Sequence, residues 1–316
     1  LALSIIAGLV GTTLKISALK GRGKEIVYIT LFQSIVTFVC VVGVLVILGS
    51  FLNVSAEKVL LVALLLGGIA TATDAATPLV IVRELRAKGR FTSTFLAVVA
   101  TDDANALIMF ALSLTLGTAL LDGGSYHWMN LFKDLVIIAS SMLLGLLAAL
   151  ANIASEKLLS HHKGMETIAT LGLIFIVYSL SEYLKLEALL SAMVMGAVMV
   201  NTSAEFDIVE EEIDNHLAEI IFMLFFIISA MHLELSAVFA FPVAIGLYIG
   251  ARFCAKVFGS YVGAVISGSS EVVRKFMGIA LLPQAGVAIG LALSLQKHEG
   301  LEDIAPIILN IVITTT

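Results

Sequence analysis

Two adjacent carboxylates, Asp102 and Asp103, lie inside an apolar stretch, with Ala97–Ala100 before them and Ala104–Leu112 after them. An ionisable side chain at mid-membrane depth costs about 2.5–3.5 kcal/mol or more, so it is a functional candidate by default. Neighbours on a helix point in different directions. One acid can therefore take a positive side chain while the other faces a water-filled cavity. Asp74 stands among Thr71, Thr73 and Thr77, in a stretch that runs on to Pro78. Hydroxyl, carbonyl and carboxylate oxygens suit a hard cation, and a carboxylate beside the amide end of a half-helix is favoured by the helix dipole. A plain helix cap is the alternative reading of Asp74. The opposite charges are Arg252 and Lys256, at i and i+4 on one face of the long apolar run Phe241–Gly268. Neither can reach water from the middle of that run, so both call for anionic partners, and the Asp pair is the obvious supply.

Other reactive residue types carry less. Cys40 and Cys254 are expected to be buried and to pack as small apolar groups, and no cysteine spacing suggests a zinc or iron–sulfur site. No metal-ligand or Ser/His constellation supports a membrane-embedded enzyme, and no cofactor is implied. His161-His162, in a polar connector, reads as a solvated turn rather than a pH sensor. Lys15 and Lys58, near the ends of runs, are expected to snorkel.

Charges so placed need a frame that crosses a bilayer, and the composition supplies one. Hydrophobic residues make up 59% of the 316 and charged residues only 13%, with a mean hydropathy of +1.07. Soluble domains sit near about 45–50% and 25%. About eleven apolar runs, each of a length to span the hydrocarbon core, use up nearly the whole sequence. Helix is the only sensible state for them, because unpaired backbone cannot face lipid. The net charge of −6 argues against nucleic acid as a partner.

The runs are Leu1–Leu19, Ile26–Leu48, Val59–Val80, Phe91–Leu121, Leu135–Ala154, Ile168–Leu184, Ala188–Val200, Ile220–Met231, Phe241–Gly268, Met277–Leu295 and Ile304 onward. Connector charges orient them: Lys20, Arg22, Lys24, Arg83, Arg86, Lys88, Arg90, Lys157, Lys163, Arg274 and Lys275 fall on one side, which is then cytoplasmic. Only Lys58, Lys133, Lys185 and Lys297 fall on the other. The connector Asn201–Glu219 carries no basic residue, and its Glu210, Glu211, Glu212 and Asp214 suggest a solvated surface helix.

Two runs are interrupted at comparable places. The third holds Gly67-Gly68 and then Thr71–Pro78, and the tenth holds Pro283-Gln284-Ala285-Gly286. Interrupted helices in two halves of a transporter point to a mid-membrane binding site. The two runs are antiparallel. If each is the fourth of five helices, the second repeat is runs seven to eleven, and the first lacks a helix before Leu1. The chain also opens and closes inside apolar runs, as a portion of a longer protein would.

Taken together, Thr73-Asp74, the Asp102-Asp103 pair, Lys256–Gly259 (KVFG) and Leu281–Gly286 (LLPQAG) resemble the monovalent cation:proton antiporters, in particular the sodium/proton exchangers with a paired aspartate. Ala188–Ser203 and Phe222–Leu235 are similar to that family too, so the resemblance covers essentially the whole chain. It implies an all-α, inverted-repeat antiporter fold with two crossed broken helices, in a multi-pass protein of a bacterial-type cell membrane. It also implies a homodimer. The dimerising panel would be residues 1–25 and 168–240, the moving core 26–121 and 241–316, and 122–167 a linking helix. Carried over by residue, Asp103 matches the ion-binding carboxylate and Asp102 the acid paired with the membrane lysine, Lys256. Thr73 and Asp74 match cation ligands on the crossing helix. Arg252 and Gln284 remain as supporting residues, and Arg252 competes with Lys256 as the partner of Asp102.

The mechanism so implied is competition. Burial disfavours the ionised carboxylate, so Asp103 holds a proton or a cation, not both. A site open alternately to each face then exchanges one for the other. A second proton released from the Asp102–Lys256 pair would make transport electrogenic. Na+ (or Li+) is the expected cation. A K+/H+ antiporter on the same fold is the nearest alternative, and a sodium-coupled organic anion symporter is the alternative of a different class.

Overall fold

The computed structural model describes residues 2–12, 16, 21–49, 55–74, 76–121, 128–159, 165–203, 220, 223, 224, 227, 231, 242–284, 286–297 and 300–315. The histidine pair His161-His162, the acidic Glu210, Glu211, Glu212 and Asp214, Lys15, Lys20, Lys163 and Ala285 lie outside them, as does most of the runs Ile220–Met231 and Phe222–Leu235. So do the side chains of Arg83, Lys157 and Lys297.

The helices in chain order are α1 (Ala2–Thr12), α2 (Gly23–Gly49), α3 (Ala56–Ala70), α4 (Ala76–Glu84), α5 (Arg90–Leu121) and α6 (Trp128–Leu159). After them come α7 (Met165–Leu184), α8 (Ala188–Thr202), α9 (Pro242–Ile266), α10 (Glu271–Ala280), α11 (Gly286–Ser294) and α12 (Ala305–Thr315). Among the described residues, five segments are long and apolar enough to cross a membrane unaided, in α2, α5, α6, α7 and α9. Part of the difference from the apolar runs of the sequence has a physical reason. The third and tenth runs are each split into two short helices, and α8 and α12 are apolar but shorter.

Burial along α2 is the reverse of that in a soluble helix. Glu25, Thr30, Gln33, Ser34 and Thr37 face inward, while Leu31, Ile35, Val39 and Ile47 face out, Ile47 at 63% exposure. Such a helix is stable only where its outer face meets hydrocarbon. Cys40 and Cys254 belong to that outer surface, which corrects the expectation that they are buried. An apolar environment in a membrane protein does not require burial in protein.

The chain divides into two compact units. One comprises Leu1–Lys20 and Phe132–Ile228. In it α1 and α8 touch backbone to backbone: a Cβ at Gly11 would lie 2.1 Å from the Met193 carbonyl oxygen, and one at Gly196 2.1 Å from that of Gly8. Ile5, Leu9, Ala149, Ile174, Val177 and Met195 fill the space between α1, α6, α7 and α8. This unit takes in most of the range 122–167 suggested as a linking helix. The other unit comprises Gly21–Leu131 and Ser229–Thr316, and it carries both broken helices.

The break after α3 falls at Thr71–Asp74, not at Gly67-Gly68. Those glycines remain helical because their lack of a side chain serves packing: a Cβ at Gly68 would meet Ser113, and one at Gly67 would meet Val42. Pro78 lies in the first turn of α4, where its missing N–H costs nothing. The other helix ends at Ala280, three residues before Pro283, which disfavours helical backbone at Leu282. Arg274 and Lys275 are not connector residues but part of α10.

In this unit α2 and α9 approach each other backbone to backbone. Built Cβ atoms at Gly259 and Gly263 lie 2.8 Å from the Cα atoms of Gln33 and Ile29 respectively. Gly259→Val is expected to destabilise the fold by about 1–3 kcal/mol by overpacking. Thermal unfolding in detergent checks this, with Gly246→Ala as control, since nothing lies within 4 Å of a Cβ there. Equal melting of both variants would refute the close approach.

Candidate functional site

A helix that stops in the middle of a membrane leaves its last carbonyl oxygens without intrahelical partners and without water. The carbonyls at the end of α3 are met one after another by side chains. Gln284 Nε2 donates to the Ile69 oxygen at 3.3 Å. Arg252 donates to the oxygens of Ala70 at 3.1 Å and Ala72 at 2.9 Å. Lys256 Nζ donates to that of Thr71 at 2.6 Å. The same guanidinium reaches across to the other break, to the oxygens of Leu282 at 2.5 Å and Pro283 at 3.5 Å. The backbone N–H of Asp74 donates to the Pro283 oxygen at 2.9 Å, tying one break to the other.

The donors come from one face of α9. Tyr248, Arg252 and Lys256 follow one another at intervals of a helical turn and are all buried. Tyr248 exchanges hydrogen bonds with Gln284 at 3.2–3.4 Å. Sequence reasoning expected a carboxylate partner for Arg252. The guanidinium instead takes carbonyl oxygens from two helix ends, whose dipoles concentrate partial negative charge there. Five N–H donors in a rigid fork suit that task better than an ammonium does.

Lys256 is the cation that meets the acid pair. Its Nζ lies 3.2 Å from Asp102 Oδ2, with both side chains wholly buried. The Thr73 hydroxyl bridges them, accepting from Lys256 at 2.5 Å and donating to Asp102. That hydroxyl, assigned from sequence to the cation, is engaged in the pair. Asp102 is then completed from α2: its Oδ1 accepts from Gln33 Nε2 and from Ser34 Oγ, the latter at 3.3 Å. Asn105 Nδ2 backs Ser34 at 2.5 Å. A carboxylate offers about four acceptor positions, and Gln33, Ser34, Thr73 and Lys256 fill them.

Asp103 is placed otherwise. It is 5% exposed, and its Oδ1 has no hydrogen-bond partner among the described residues. Among the described residues, Asp102, Asp74 and Lys256 are charged groups near enough to act on it. Asp74 accepts the Thr77 N–H on Oδ2 at 3.0 Å, capping α4. Geometry thus brings Asp102, Asp103, Lys256, Thr73, Asp74, Arg252 and Gln284 to the crossing of the two breaks. Gln33, Ser34, Asn105 and Tyr248 were missed. For Gln33 and Ser34 a signal existed: with Thr30 and Thr37 they form a polar stripe at helical spacing in a run otherwise fit for lipid.

The arginine clamp predicts that Arg252→Lys destabilises the fold by about 1–3 kcal/mol, because one ammonium cannot serve both helix ends and leaves buried carbonyls unpaired. Thermal unfolding in detergent measures this. A melt identical to wild type would show that the carbonyls find other donors.

The family described as sodium/hydrogen exchanger, transmembrane, matches residues 7–316. No curated protein matches the chain. Among solved structures, the sodium proton antiporter MjNhaP1 from Methanocaldococcus jannaschii is similar, with a TM-score of 0.74 and 21% identity over 99% of this chain and 79% of that one. At that identity the likeness speaks for the fold. Buried charges at two crossed helix breaks, lipid-facing apolar surfaces and the family match converge: this chain is an integral, multi-pass membrane protein that belongs to the transmembrane sodium/hydrogen exchanger family.

Proposed function

We propose that the protein exchanges Na+ for H+ by alternating access, with Asp103 as the carboxylate that holds either the cation or the proton. The observation that carries this is the contrast within the acid pair. Asp102 has its acceptor positions filled, whereas Asp103, one residue on, keeps a buried oxygen without a partner. An uncompensated carboxylate in a buried site is costly, and a proton or a small hard cation relieves that cost equally well. Mutual exclusion at one group couples the two fluxes. Asp74, beside the same crossing, is a further oxygen source for the cation. Main-chain oxygens of the breaks are poor candidates where Arg252 and Lys256 already occupy them.

Transport is electrogenic in this scheme. The cation's arrival at Asp103 weakens the hold of the neighbouring Asp102–Lys256 pair on its proton, so roughly two protons leave per Na+. The assembly is a homodimer, joined through the panel helices of residues 1–25 and 168–240.

Asp103→Asn is expected to abolish sodium-driven proton movement in proteoliposomes, read with an internal pH dye, while thermal stability holds or rises as a buried charge is removed. Wild-type exchange by the folded variant would end the site assignment. For charge movement, sodium pulses on a solid-supported membrane should give transient currents in wild type. Each net charge is driven at about 2.3 kcal/mol per 100 mV. In Lys256→Gln the current should fall toward zero even where exchange survives. Exchange without current in wild type would replace this scheme with a one-for-one antiporter.

A further inference from the structure

Asp102 and Asp103 are chemically identical, adjacent and both buried, yet among the described residues Asp102 has both oxygens taken while Oδ1 of Asp103 has no partner. What separates them comes from α2, an element to which neither composition nor the acid pair drew attention. Gln33 is fully buried. Its amide donates to Asp102 Oδ1 and to Ser34 Oγ, the latter at 2.7 Å. Ser34, 1% exposed, adds its own bond to the same oxygen at 3.3 Å, and Asn105 holds Ser34 in place from α5 at 2.5 Å. The position of Gln33 is fixed in turn by the main chain, since Gly259 brings α9 against its Cα.

We propose that Gln33, supported by Ser34 and Asn105, is a positioning residue for exchange: it holds Asp102 turned toward Thr73 and Lys256 and so keeps it out of the cation's coordination shell. The proposal rests on Asp103 being the cation site. Its physical content is a limit on affinity. A cation caught between two adjacent carboxylates is chelated and leaves slowly, whereas one held by a single carboxylate can be displaced by a proton. An exchanger needs a site it can empty. Lys256 and Thr73 occupy only Oδ2 of Asp102. Among the described residues the α2 donors are the ones that occupy Oδ1, so their removal frees a charged oxygen one residue from the bound cation.

The direction of the effect distinguishes positioning from mere support. Damage to packing lowers the folded fraction or weakens binding. Release of Asp102 strengthens binding. The experiment is a sodium titration of purified full-length chain in detergent, read as the rise in melting temperature, which follows the apparent Kd without requiring turnover. Gln33→Met, of similar length but with no donor, is expected to lower the sodium Kd about tenfold, the scale of one charge-assisted interaction. In proteoliposomes the sodium KM and the maximal rate should fall together. Ser34→Ala should shift the Kd the same way by less. Combined with Asp102→Asn, Gln33→Met should have no effect on the Kd, because it acts through that carboxylate.

An unchanged or raised Kd in folded Gln33→Met overturns the proposal, and so does an equal shift in the Asp102→Asn background. If Gln33→Met does not fold, Ser34→Ala decides by the same criterion. The underlying site assignment is tested apart, by the same titration of Asp103→Asn. A sodium response equal to wild type there removes the cation from Asp103. Loss of that response, with Gln33→Met behaving as wild type, removes only the role given to Gln33.

Discussion

Backbone that leaves a helix inside a bilayer must find its hydrogen bonds within the protein, and in this fold that requirement organises everything around the site. Stopping α3 at Ala70 and α10 at Ala280 exposes carbonyl oxygens where no water is available. A single helix, α9, answers with Arg252 and Lys256, and Gln284 adds one more donor. The positive charges are therefore present before any cation is transported. They are the structural counterpart of the broken helices, and the acid pair is set against them.

This ordering explains why two cations so close in sequence do different work. Arginine keeps its charge at any pH a cell meets and presents a flat fork, so it suits a permanent tie between two helix ends. Lysine can be neutralised in an apolar setting, and its three donors are divided among a carbonyl, a hydroxyl and a carboxylate. Of the two, the lysine is the one that bonds directly to a carboxylate of the acid pair. Exchanging the two residues would leave the net charge untouched and disable both tasks.

The broken helices, the buried charges and the antiparallel arrangement were readable from the sequence because each violates a strong rule of membrane helices: a proline or polar cluster in mid-span, or a charge where lipid should be. Where each charge goes was less readable. Charge pairing is the usual solution for a buried arginine, so from sequence Arg252 competes with Lys256 for Asp102, and the local sequence around Thr71 and Leu282 does not show that two sets of carbonyls meet at one point. Thr73 was assigned to the cation because its hydroxyl is a good oxygen ligand, but the same hydroxyl also fits between Lys256 and Asp102. Gln33 was passed over since an uncharged residue breaks no rule by itself. Cys40 and Cys254 were misplaced because apolar sequence identifies a membrane segment but not which of its faces looks outward.

The link between the breaks has a property that the surrounding side chains lack. Asp74 meets Pro283 through its main-chain N–H, and every amino acid but proline carries that group. Inheritance can therefore rewrite the side chain at position 74 without cutting the tie, and a carboxylate can be gained or lost there while the crossing survives. Side-chain chemistry and architecture are in this respect separately editable at position 74. A lineage could replace the carboxylate at position 74 with the framework intact, and proline alone is barred from it.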